Sequence, residues 1–281
     1  MESVARWLGV DFSGDVRQWQ PGVGRERARV WIAEVSGIGE ALQLTDLRPV
    51  QELDGDPESP FERLVRRLAR PDYRAAGIDA PFSVPAAFLP SRSHRSLLSI
   101  VEGIPREQRP FPAGSELLTA VAPRYGATGT KEYRETEQRW RQRAVEVRSP
   151  LWGGARPGAP FTAACLTQLH RAGRPIWPVT AADHSALLVE AFPAAQLCQW
   201  GRPSDGYDGD HEFAQQRRID LVEMLDGGLE MSEPHMQRLV ASADALDAVL
   251  CAFGAMAVTE DRLADEPSLV ADAEGWIAVH R

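Results

Sequence analysis

Two aspartates three residues apart open an apolar run, Ser242-Ala-Asp-Ala-Leu-Asp-Ala-Val-Leu-Cys-Ala-Phe-Gly-Ala255. On a helix that spacing puts Asp244 and Asp247 on one face, with Leu246, Val249, Leu250 and Phe253 as the adjacent stripe that presses on a core. Ser242 suits the N-cap, and acids in a first turn suit the positive end of the helix dipole. Three further acids each end a strand-like run and are followed by a breaker: Asp11 in Gly9-Val-Asp-Phe-Ser-Gly14, Asp79 in Gly77-Ile-Asp-Ala-Pro81, and Glu190 in Leu188-Val-Glu-Ala-Phe-Pro193. Any one alone is explained as a turn acid that satisfies nearby amides. Five at once, at the carboxyl ends of strands where open α/β sheets build their sites, point to one shared site.

The chemistry of such a site is constrained by repulsion. Two carboxylates about 4 Å apart repel by roughly 4 kcal/mol at an effective dielectric near 20. A cluster of four or five therefore needs cations, or must hold protons. No Cys or His ligand pattern accompanies the acids, so hard-oxygen preference selects Mg²⁺ or Mn²⁺. Paired ions about 3.5–4 Å apart serve in-line phosphoryl chemistry. Asp11, Asp79, Glu190, Asp244 and Asp247 are the acids that could converge on such a site, and phosphoryl chemistry is the expected activity.

The charge distribution supplies a candidate grip on the substrate. The chain has a net charge of −9, which argues against a broad phosphate-binding surface. Basic residues nevertheless outnumber acids between Arg92 and Arg148, and Arg92, Arg95 and Arg141 are the expected contacts to a phosphate backbone. Glu132, Glu135, Glu137 and Glu146 interleave with that basic run, the pattern of a solvated helix face.

The motifs V-D-F-S-G, G-I-D-A-P-F-S-V-P, V-E-A-F-P, A-D-A-L-D-A and the late E-G-W-I resemble domain of unknown function family 429, regarded as predicted ribonuclease-H-like nucleases. The A-D-A-L-D-A segment is also similar to the terminal helix motif of Holliday-junction resolvases, which carry Glu where this chain has Asp79. The resemblance runs from Gly9 to Ile277 and implies a ribonuclease-H-like mixed β-sheet flanked by helices. It implies Asp11 as the first-strand metal ligand, Asp79 as the fourth-strand ligand, and Asp247 with Asp244 as the helix ligands, and with them phosphodiester hydrolysis on nucleic acid; Glu190 is expected at the rim as ligand or water-orienting base.

The elements that must position these residues follow from local pattern. Strands are expected at 7–11, 29–35 and 41–50, with Gly37 and Gly39 between the last two, as an antiparallel meander. Further strands fall at 75–79, 176–179 and 186–190, with an edge strand at 274–279. Helices are expected at 61–69, near 93–103, 131–147 and 161–172, and again near 211–226 and 243–259. The organisation is one α/β domain over residues 1–281, with an Arg-rich helical insertion over 83–173.

Other classes are excluded or rank lower. No run of about 18 apolar residues appears, so no membrane span is expected. A strand-like run from about residue 4 leaves no room for a signal peptide, and Cys165, Cys198 and Cys251 form neither a disulfide framework nor a zinc site, which fits a reducing cytoplasm. Gly126-Ala-Thr-Gly-Thr-Lys131 lacks the G-K-[ST] order of a phosphate loop. The histidines show no H-x-x-x-H pair; His184, ahead of the Glu190 run, is the one candidate water-positioning base. Trp140, Trp152, Trp177 and Trp200 suit core or flap packing better than base stacking. Two other functions are carried: an actin-like nucleotide-dependent phosphotransferase, and a catalytically silent ribonuclease-H-like binding module. The sequence sets no oligomeric state.

Overall fold

In a computed structural model, residues 4–38, 41–55, 58–180 and 185–281 are described. The first three strands form the expected antiparallel meander: β1 (Ala5–Asp11), β2 (Trp31–Ile38) and β3 (Ala41–Pro49). Gly37 lies inside β2 opposite Leu42 and not in the turn; Gly39 and His184 lie outside the described residues. After α1 (Pro60–Ala69), β4 (Ala75–Asp79) adds to the other side of β1 in parallel.

The span 83–173 contributes α2 (His94–Gly103), α3 (Gly114–Val121), α4 (Glu135–Gln142) and α5 (Ala159–Ala172). It is not a peripheral lobe. Most of α5 is buried, and Leu97, Leu117, Cys165 and Leu166 pack with Leu8, Val10 and Ile78 of the sheet in one core layer.

The chain continues through β5 (Ile176–Trp177), β6 (Leu187–Ala191), α6 (Pro193–Gln199), α7 (Glu212–Asp226), β7 (Leu229–Glu230), α8 (Glu233–Ala241), α9 (Ala243–Thr259), α10 (Ala271–Glu274) and β8 (Ile277–Ala278). The sheet order is β5-β6-β4-β1-β2-β3-β7, with β8 paired to β6 off that path. The result is a mixed α/β fold with an eight-stranded, mostly parallel sheet flanked by helices. Among the described residues no single helix is long and apolar enough to cross a membrane.

Side-chain alternation along the strands divides the sheet into two faces. Leu8, Val10, Ala76, Ile78 and Leu188 join the layer covered by α1, α2, α3 and α5. Trp7, Ala75, Leu187 and Val189 join the opposite layer, with Leu246, Val249 and Leu250 of α9. Gly9 and Asp11, and likewise Gly77 and Asp79, have the parity of that second layer.

Candidate functional site

The position of α9 is set by two glycines. A Cβ at Gly9 would overlap the carbonyl oxygen of Ala248, and one at Gly77 would overlap that of Cys251. Without side chains at these two points the helix backbone lies directly on β1 and β4. Two residues further along each strand, on the same face, come Asp11 and Asp79, which are register partners. The helix starts beside them: Ser242 caps α9 by accepting a hydrogen bond from the Ala245 amide at 3.2 Å. Asp244 and Asp247 therefore meet the two strand-end acids at one cavity of ≈ 560 Å³.

The electrostatics are those of crowded, poorly compensated carboxylates. Burial raises the Asp11 pKa well above the ordinary range, and Asp244, Asp247 and Asp79 raise it further. Burial likewise lifts Asp79 to about 7, against the partial relief of Arg148. Asp247 is raised by burial and by Asp79, and lowered in part by a hydrogen bond from the Tyr207 hydroxyl at 2.8 Å. Asp244 is raised by burial despite Arg29, whose guanidinium is 3.0 Å from its carboxylate.

Glu190 lines the same cavity, where it was expected at the rim, and its charge adds to the rise of Asp79, but its carboxylate is engaged by other groups. Its register partner on β4 is Ile78, not Asp79, so its side chain leaves the opposite face of the sheet. There it is buried and committed. Arg134 Nη1 donates to its Oε2 at 2.7 Å and Nη2 donates to its Oε1, while the Phe82 amide donates at 3.1 Å. Arg134, fully buried, also pairs with Glu137 and donates to the Glu274 carbonyl at 2.9 Å. A buried guanidinium shared between two glutamates is a structural clamp, joining the start of α4 to the end of β6 and to α10.

The expected phosphate contacts are also elsewhere. Arg92 and Arg95 line a second cavity beside Gly173, past the C-terminal end of α5, whereas Phe161 near the N-terminal end of α5 lines the acidic one. Arg141 stacks over Tyr133, 4.0 Å from the ring centroid, and does not line the cavity. The cations at the cavity are Arg29, Arg148 and Arg156. Tyr207 lies in no periodic or motif-like context, and Arg29, at the start of the expected 29–35 strand, carries no local sign of the acid it pairs with. Arg218, inside the expected 211–226 helix, fixes the Tyr207 loop by donating to the carbonyls of Gly209 at 2.9 Å and Val240 at 2.7 Å.

The donor set suits a hard cation. Asp11, Asp79, Asp244 and Asp247 face only Arg29 and Arg148 as nearby compensating charge. Among the described residues no three His, Cys, Asp or Glu side chains form a ready-made cage. Mg²⁺ does not require one, since it is usually held by one or two carboxylates and keeps several waters.

Fold and site together define a mixed α/β protein with a carboxylate-lined cavity at the carboxyl ends of its central parallel strands. The family described as Protein of unknown function (DUF429) matches residues 161–273, a span that includes β6, Tyr207 and both acids of α9, and the family resemblance holds over it. No curated protein and no solved structure matches the chain.

Proposed function

We propose that the chain is a Mg²⁺- or Mn²⁺-dependent phosphodiesterase acting on nucleic acid, built on a ribonuclease-H-like sheet. The observation that carries this reading is the meeting of Asp11 and Asp79, in register on neighbouring strands, with Asp244 and Asp247 at the head of α9. An antiparallel β1–β2–β3 meander continued in parallel by β4 and β6 agrees with the sheet type.

These four aspartates would hold the ions, with Asp11, which feels all three others, as the shared ligand. Bound there, a pair of divalent ions would activate water and stabilise the leaving oxygen. Tyr207 fixes the orientation of Asp247, and Arg29 does the same for Asp244. Arg148, stacked on Phe161 at 4.8 Å, faces the acids and is placed to receive a phosphate oxygen.

The test combines thermal unfolding with and without metal and hydrolysis of labelled oligonucleotides. At about 100 times Kd, Mg²⁺ or Mn²⁺ should stabilise the fold by about 2.7 kcal/mol. No shift up to millimolar metal argues for a silent binding module. Saturable ATP binding without hydrolysis of nucleic acid argues for the actin-like phosphotransferase.

A further inference from the structure

The shape of the cavity restricts the substrate further, on the phosphodiesterase reading above. The acids are its floor, and Asp11 is only 7% exposed. Walls rise around them from 144–161 and from the 204–208 loop. The first wall is anchored, because Gly14 leaves no room for even a Cβ against the Phe161 amide at 2.5 Å. The volume of ≈ 560 Å³ falls in the range of about 300–1,000 Å³ typical of small-molecule pockets. Specific duplex recognition instead buries roughly 1,000–2,500 Å² of basic surface, on a chain whose net charge here is −9.

The rim is equally selective. Of its cations, Arg29 is spent on Asp244 and Arg156 on Glu146 at 2.6 Å. Arg148 makes no ion pair among the described residues and is held only on the Phe161 ring. That is the charge needed for one phosphate. A longer backbone tract would next meet Asp205 and Asp208, both exposed at the lip. Phe192, half-buried on the lining, offers a flat apolar face suited to a base.

We propose that the substrate is a single-stranded nucleic acid taken by its end, one nucleotide at a time, and not a duplex or the interior of a strand. Water attacks the phosphorus of the terminal linkage, the bond from that phosphorus to one ester oxygen breaks, and that oxygen leaves with a proton. The products are a nucleotide and a strand one unit shorter.

The full chain is assayed with Mg²⁺ or Mn²⁺ on three DNA forms of one sequence: an end-labelled linear single strand, a covalently closed single-stranded circle and a blunt duplex. A linear RNA strand is run beside them to assign the sugar preference. The linear strand should shorten stepwise from one end, with the circle and duplex cut at least 30-fold more slowly. Affinity for the linear strand should fall with log–log salt slope near −0.7 to −1.4, since each single-strand phosphate contact contributes about −0.7. Cleavage of the circle or duplex within 30-fold of the linear rate overturns the end-entry inference and leaves the phosphodiesterase standing. Hydrolysis of none of the four overturns the phosphodiesterase itself, and this inference with it.

Discussion

Asp11 and Asp79 are register partners at the carboxyl ends of two adjacent parallel strands, their side chains leaving the same face of the sheet. Nothing in the meander or the core requires two acids there. Burial opposes the charge of each, and the other aspartates oppose that of Asp11 further. The arrangement holds an electrostatic load that a bound cation relieves, and four expectations follow from it and from the clamp behind it.

Without metal, stability should fall as pH rises. Folding raises the pKa of Asp11, Asp79, Asp244 and Asp247, so the folded state binds more protons than the unfolded one above the ordinary carboxylate value of 3.8. Their contribution is fully present below about 3.8 and is lost as pH climbs through about 7, the value for Asp79. Melting temperatures in chelator should decline across that window. On the proposed function Mg²⁺ should flatten the decline at its upper end, because the deprotonated acids would be its ligands. A metal-free melting temperature that rises steadily from pH 4 to 7 contradicts this.

Asp247→Asn should abolish hydrolysis while slightly stabilising the metal-free protein. The amide removes a charge that Asp79 and Asp244 repel, and its oxygen can still accept from Tyr207. Chemical denaturation in chelator reads the stability, and calorimetric titration should show metal affinity lowered by 10-fold or more. A clear loss of stability would instead mark the acid as a structural residue of the helix start.

Gly9→Ala should destabilise by about 3 kcal/mol or more, since the new methyl overlaps α9 backbone that cannot step aside as a side chain can. Urea unfolding measures it. Gly22→Ala, where a Cβ meets nothing within 4 Å, is the matched control and should change stability by less than about 0.5 kcal/mol.

Arg134→Met should lower stability by about 3–5 kcal/mol, because it strands Glu190 and Glu137 in the interior without their shared cation. Glu190→Gln retains oxygen for Arg134 and should be milder. If Glu190→Gln, well folded by circular dichroism, loses metal binding as completely as Asp247→Asn, the assignment of Glu190 to the clamp is wrong.

The acids of the cavity were legible because each ends an apolar run of the right period. The D-x-x-D spacing needed only helix geometry to place Asp244 beside Asp247. The meander and most helices were legible for the same reason. Glu190 has the same local pattern as Asp11 and Asp79 but leaves the other face of the sheet, with its carboxylate held by Arg134. What separates them is the register of β6 on β4, one residue out of step for these acids, and pairing register is not written in a strand's own sequence. Arginines 92, 95 and 141 misled because a basic segment says nothing about which of its residues the fold turns toward the cavity. Arg148, in the same segment, reaches it through its stacking on Phe161. The short helices α3, α6 and α8 were missed; Gly114, Pro193 and Pro234 sit in their first turns, and Pro193 had read only as the breaker that ends a strand.

The helix α9 holds Asp244 and Asp247 at its head, while Leu246 to Ala257 are buried along its length almost without a break. Its apolar body is therefore demanded by architecture alone and would be retained in a descendant that had lost every trace of activity. In such a lineage only the two acidic letters near the helix start would be free to drift, so those positions, and not the conspicuous greasy stretch behind them, are where a surviving or abandoned chemistry leaves its record.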